Sequence, residues 1–219
     1  MKCSMTVLFI LCAFSLFASS TTGGYGGVQI IGTYQNNDNI NESLANVGIE
    51  LDRTIFGVGG GGMFITNGFA IGGSGFGATK NYATEDLKIE YSYGSGMFEF
   101  GPVFDLKILN LGIILGLGGG GEDMKLRPNL SDISFDSLLL NPGRVSTISR
   151  GGMEVGASLL ILYKMKDFIA LSLKGGATYG FGWQWELDDG ATVYNQPEDK
   201  PLRITASLGI LFGGSEKSD

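Results

Sequence analysis

The sequence predicts an all-β fold: an antiparallel up-and-down barrel of about ten strands, with eight as the alternative count. Three observations predict it. Apolar and polar residues alternate with period two in segment after segment, the apolar sets hold no charged residue, and the long connections all follow odd-numbered strands. Successive side chains on a strand point to opposite faces, so period two means one greasy face and one polar face.

The longest example is IALSLKGGATYGFGWQWEL, residues 169 to 187. Its odd positions include Ile169, Leu171, Leu173, Tyr179, Phe181, Trp183 and Trp185, and its even positions include Ser172, Lys174, Thr178, Gln184 and Glu186. The same alternation places Leu202, Ile204, Leu208, Ile210 and Phe212 on one face, and Met153, Val155, Leu159, Ile161 and Tyr163 on another. Earlier apolar sets are Ala45, Val47, Ile49 and Leu51; Leu87, Ile89, Tyr91 and Tyr93; Phe98, Phe100 and Phe104; and Leu111, Ile113, Leu115 and Leu117.

In chain order the strands fall at 25–34, 45–52, 55–65, 69–79, 86–94, 97–107, 110–118, 152–164, 168–187 and 201–213. Asn67 with Gly68, and Ser95 with Gly96, suit two-residue hairpin turns. Long loops lie near 35–44, 119–151 and 188–200, at one end of the sheet, with short turns and both termini at the other. Within the longest loop, residues 130–140 suggest a short helix or cover over the barrel mouth.

Residues 1–20 read as a secretory signal peptide, with Lys2 before an apolar run from Val7 to Phe17 and small residues after it, leaving 21–219 as a single barrel domain. Both cysteines, Cys3 and Cys12, lie inside that segment. The exported chain then has no disulfide and depends on packing and hydrogen bonds. Without Lys2, 14 basic residues stand against 22 acidic ones, which argues against nucleic acid as a partner.

The chain contains no histidine, so histidine-dependent nucleophilic catalysis and metal binding are closed to it. No enzyme activity, cofactor or metal is expected. Gly57 to Gly62 matches G-x-G-x-x-G, but a strand pattern follows it where a dinucleotide site needs a helix. The bland reading is a pair of strands poor in side chains, against which something bulky packs. Asn36 to Glu42 is rich in oxygen ligands yet lacks calcium-loop spacing, and the adjacent acids Glu122 and Asp123 read as solvated loop charges.

The alternation, the loop asymmetry and the gathering of aromatic residues toward strand ends resemble the small outer-membrane β-barrels of bacteria as a class, over nearly all of residues 21–219. No motif of a particular family is matched. The resemblance implies that the apolar faces meet outer-membrane lipid, with an aromatic girdle of Tyr93, Phe98, Tyr163, Tyr179, Phe181, Trp183 and Phe212. It implies a lumenal polar network of Glu50, Lys88, Glu90, Glu99, Asp105, Glu154, Lys174, Glu186 and Arg203. Within it, Glu186 is expected opposite Arg203, and Ser158 opposite Lys174. Two features depart from the class: residues 213–219 extend past Phe212, and Pro102 sits where a ladder donor belongs, suggesting a bulge.

The expected role is structural or one of surface interaction through the long loops, with a ligand or protein as the loop partner. One alternative is a porin-like narrow channel for small solutes. Another is a soluble secreted barrel holding an apolar ligand inside, with its polar faces toward water.

Overall fold

A computed structural model describes residues 21–129, 145–187, 190–191, 193–197 and 202–217. The expected signal segment, the cover at 130–140 and part of the loop near 188–200 lie outside the described residues. The strands are β1 Thr21–Gln35, β2 Thr54–Thr66, β3 Phe69–Ala83, β4 Leu87–Asp105, β5 Leu109–Pro128, β6 Ser146–Lys166, β7 Ile169–Phe181, the two-residue β8 Glu186–Leu187, and β9 Leu202–Lys217. Among the described residues one α-helix, α1 Asp38–Leu44, follows β1 and leads into a single 3-10 turn at Ala45–Val47.

Eight long strands pair antiparallel in the order β5-β4-β3-β2-β1-β9-β7-β6, and the β5–β6 pairing closes the ring. Closure leaves no sheet edge in the wall, which is the condition for strands to cross hydrocarbon. Asn67 and Gly68 join β2 to β3 with φ of 49° and 75°, the double positive φ of a type I′ hairpin. Short turns and both described ends of the chain lie at one end of the barrel. The connections after β1, β3, β5 and β7 lie at the other, the one after β3 being a short turn at 84–86.

Two departures reduce ten strands to eight. Residues 45–52 form no strand: Asn41 on α1 bonds the Leu51 backbone in both directions, at 3.0 and 2.8 Å, so this stretch is tied to the helix instead of to a neighbour. Half of its apolar set still finds a core: Ile49 and Leu51 are buried over the barrel mouth, while Ala45 and Val47 are exposed. The segments 86–94 and 97–107 are one strand, and Ser95 and Gly96 lie in mid-strand opposite Gly120 and Gly119.

The parity change read as a turn near residue 95 has another cause. Along β4 the odd residues face inward throughout, from Ile89 to Val103. Below Gly94 the outward set is Gly96, Phe98, Phe100, Pro102 and Phe104; above it the outward set becomes Ser92, Glu90 and Lys88. The surroundings of the outer face change from lipid to water, so the apolar residues change sides while the strand runs straight on. Gly94 to Phe104 is the length of strand, about 9–11 residues, that crosses a bilayer core.

The same band runs around the barrel. Val28, Ile30, Phe56, Val58, Phe64, Ile71, Leu115, Leu159, Leu173 and Leu208 are exposed on it. No charged residue faces outward within that band among the described residues. A soluble barrel would place these residues in water, so that alternative is set aside. Pro102 makes no bulge: rungs Phe100↔Leu115 and Val103↔Gly112 keep one register on either side, and the two rungs of Gly101 and Pro102 are omitted between them.

Candidate functional site

The interior is built in layers. Nearest the turns, Tyr25, Ile65, Ala70, Val103, Ile114, Leu160, Leu162, Ala170 and Leu211 form an apolar plug of strand side chains. At the mouth, Ile40 and Leu44 of α1, with Ile49, Leu51 and Trp185, pack on Ile55, Ala78, Ile89, Tyr91 and Met124 in a second plug. Charged side chains fill the space between.

The upper charged layer centres on Arg203 of β9, which is 1% exposed. It donates from Nη2 to Glu122 Oε1 at 2.5 Å, from Nη1 to Glu154 Oε1 at 3.1 Å and from Nε to Gln35 Oε1 at 2.9 Å. Arg150 donates from Nε to the other oxygen of Glu122 at 2.7 Å. Glu154 accepts further bonds from Tyr93 at 3.2 Å and Ser95 at 2.5 Å. Two guanidinium groups and two carboxylates thus balance inside a low-dielectric barrel, where an unpaired charge would be costly.

Aromatic rings complete this layer. The Arg203 guanidinium lies 4.3 Å from the Trp183 ring and 4.5 Å from the Tyr93 ring, and Arg150 lies 4.5 Å from Trp185. Glycines make room for the fit. A Cβ at Gly120 would come within 2.6 Å of Glu154 Oε1, and one at Gly180 within 2.3 Å of Trp183 Nε1. The glycine-rich run after Leu117 is therefore the seat for a carboxylate.

Below it, Lys174 Nζ meets Glu99 Oε1 at 2.5 Å, and Ser74 donates to the same oxygen at 2.7 Å. At the turn end, on the far side of the lower plug from these layers, Lys164 pairs with Asp105 at 3.2 Å. A cavity of about 60 Å³ separates the upper layers, lined by Gln29, Ser95, Thr178, Ser207, Glu99 and Lys174. A further void of about 20 Å³ lies against Lys174, Ser172 and Leu211. The larger has room for about two water molecules.

Of the residues expected in the lumen, Glu99, Asp105, Glu154, Lys174 and Arg203 are brought together there. Four are not. Glu50 is exposed in the connection after α1, Lys88 and Glu90 point outward on the part of β4 above the lipid, and Glu186 is exposed on β8. Glu186 pairs with Ser149, and the rung opposite Arg203 is Thr178. Ser158 faces Gly176, with Lys174 opposite Leu160.

Of the expected girdle, Phe98, Tyr163, Tyr179, Phe181 and Phe212 are exposed on the outer face. Tyr93 and Trp183 are not part of it. Tyr93 follows the inward parity of β4, and the strand holding Trp183 ends at Phe181, where Gly182 at φ 75° turns the chain into the mouth. Glu122 and Arg150 escape the sequence reading, which ends this strand near residue 118 and assigns both to a loop. The alternation of Glu122, Met124 and Leu126 with Asp123, Lys125 and Arg127 is the signal that β5 continues.

This closed ring with an apolar outer band is the fold of the small outer-membrane β-barrels of bacteria, and the chain has that fold. Among solved structures, a major outer membrane protein of Thermus thermophilus is similar with a TM-score of 0.57 and 11% identity, over 87% of this chain and 99% of that one. Ail, the attachment invasion locus protein of Yersinia pestis, gives 0.46 and 16%, over 89% of this chain and 99% of that one. Neisserial surface protein A gives 0.44 and 9%, over 92% and 99%. No protein-family model and no curated protein matches the chain. At these identities the likeness is one of fold.

Proposed function

We propose that the protein is a closed, non-catalytic barrel that holds a structured surface at its loop end for contact with a ligand or protein outside the cell. In this reading residues 1–20 are removed on export and 21–219 form one domain. The observation that carries it is the layered interior, in which two apolar plugs enclose a charge-balanced middle. Ions crossing such a lumen would have to displace packed strand side chains at the turn end, which no loop movement can clear.

At the other end the barrel invests in order. The mouth plug fixes α1, the residues after it and Trp185 as one packed unit, a costly arrangement for loops with nothing to present.

Reconstitution in planar bilayers tests the closed lumen: the expected result is no stable conductance step, and a steady one would overturn it in favour of the pore. Labelling in intact cells tests sidedness, since a chain cleaved after residue 20 carries no cysteine. Single cysteines at Asn39 and Asn195 should react with an impermeant maleimide, and one at Lys166 should not. The reverse pattern would refute an outward-facing loop end.

A further inference from the structure

The turn end of the barrel has two unlike halves. On one side, Leu106 and Ile108 in the turn after β4, with Met165 and Phe168 around the turn after β6, are each more than half exposed. Backbone bonds tie these two turns into one lobe: Lys164 N donates to Ile108 O at 2.8 Å, and Gly213 N of β9 donates to Phe168 O at 3.0 Å. The other side, where β2 turns into β3 and β1 begins, carries Thr22, Thr66 and Asn67 instead, with the two threonine hydroxyls 3.4 Å apart.

The ladders fix how deep each half lies. A row of rungs that starts at Gly26 on β1 passes Gly62, Phe98 and Val155 and reaches Leu202 on β9, one place beyond the Gln35↔Arg203 rung. One circuit of the eight strands therefore climbs ten residues along β1. That climb sets the strand tilt at about 40° and the rise along the axis at about 2.5 Å per residue. With the climb taken out, Phe64, Phe69, Phe104, Tyr163 and Phe212 stand on one level to within about 4 Å, and they form the lower rim of the lipid band. Leu106, Ile108, Met165 and Phe168 stand about 6 Å below that rim, and Thr22 and Asn67 reach the same depth on the far side. The headgroup layer outside a bilayer's hydrocarbon core is about 5–8 Å deep on each face. The lobe ends within that layer.

Its charges suit the same surroundings. Lys107, at the tip with φ of 72°, and Lys166 are both exposed, and neither ammonium has an ion-pair partner among the described residues. Asp105 is held by Lys164 at 3.2 Å, which leaves two lysines against the exposed Asp167.

We propose that the lobe, 105–108 with 164–168, is a foot set in the phospholipid headgroup layer on the turn side, with Lys107 and Lys166 on lipid phosphates. Two observations choose lipid over a protein partner. The apolar patch runs without a break into Phe104 and Tyr163 of the lipid band, and its depth is that of the headgroup layer. Because Thr22 and Asn67 keep the opposite half polar, the barrel is gripped on one side only. The proposal rests on the lipid band and does not depend on which way the loop end faces.

Spin labels on single cysteines test it in the 21–219 barrel reconstituted in bilayers, where no other cysteine is present. The labels go on Ile108 and Phe168 of the foot, on Asn67 at the polar turn and on Leu173 in mid-band, and each is exposed to a water-soluble nickel chelate. Nickel collision at 108 and 168 should be about threefold or more below that at 67, and above that at 173. In vesicles of phosphatidylcholine with phosphatidylglycerol, Lys107→Glu with Lys166→Glu should raise nickel collision at both foot positions about twofold or more, with the heat-dependent gel shift unchanged as the check on folding. Equal collision at 108, 168 and 67 would leave the foot in water, free for a protein partner, and overturns the proposal. No response to the two glutamate substitutions overturns the phosphate contact. Collision at Leu173 as high as at Asn67 would refute the lipid band on which the foot rests.

Discussion

Arg203→Ala is the most informative single change in the barrel. It removes three charge-assisted bonds at once and leaves Glu122 and Glu154, both within 1% of complete burial, without their shared cation. Glu122 keeps Arg150 at 2.7 Å, but among the described residues Glu154 keeps only the hydroxyls of Tyr93 and Ser95. Most of the loss therefore falls on Glu154. Removing one partner of a buried pair costs about 3–5 kcal/mol, because the remaining charge is stranded in low dielectric. The loss of packing against Tyr93 and Trp183 adds to this.

Replacing both charges by neutral groups of similar shape removes the stranding along with the attraction. Arg203→Met and Glu154→Gln in one chain should lose clearly less than the sum of the two single changes, by about 1–3 kcal/mol. The assay is reversible urea unfolding in micelles or bilayers, followed by tryptophan fluorescence and by the heat-dependent shift on gels. Glu186→Ala serves as the control, since Glu186 is exposed on β8, and should change stability by less than about 0.5 kcal/mol. Additive losses from Arg203→Met and Glu154→Gln would refute the pairing. So would a larger effect at Glu186.

Three other outcomes follow from the same geometry. Leu173 is 49% exposed on the outer band, so Leu173→Arg should cost about 2–4 kcal/mol in membrane-folded stability, and an unchanged unfolding curve would contradict the lipid-facing assignment. Trp185 is 2% exposed in the mouth plug, and Trp185→Ala should open residues 36–53 to protease while leaving the heat-resistant barrel in place; simultaneous loss of both would mean that plug and wall fold as one unit. The hydrogen bond from Lys80 holds the Asp52 carboxyl below its ordinary range, so that link is fully formed above the unfolded value and is lost as pH falls through the lowered one. An NMR titration of Asp52 should show its midpoint rise in Lys80→Ala, and no movement would refute the contact.

Period-two alternation determined the architecture, because a side chain's face is set by its parity along a strand and needs no knowledge of its neighbours. It yielded the outward sets of β5, β6, β7 and β9, the Asn67–Gly68 turn, and the inward places of Glu99, Glu154, Lys174 and Arg203. What parity cannot say is what each face touches. On β4 the surroundings change near Gly94 from lipid to water, so Leu87, Ile89, Tyr91 and Tyr93 turn inward on a strand that continues unbroken, and the sequence records only a flip. Partners were equally out of reach. Arg203 meets Glu122 and Glu154 across the lumen, on strands that are not its neighbours, and β-pairing rules constrain only adjacent strands. Closing the ring decided those meetings, since only closure brings β5, β6 and β9 to face one axis. The apolar plug at each end then shut the charges held between them off from bulk water.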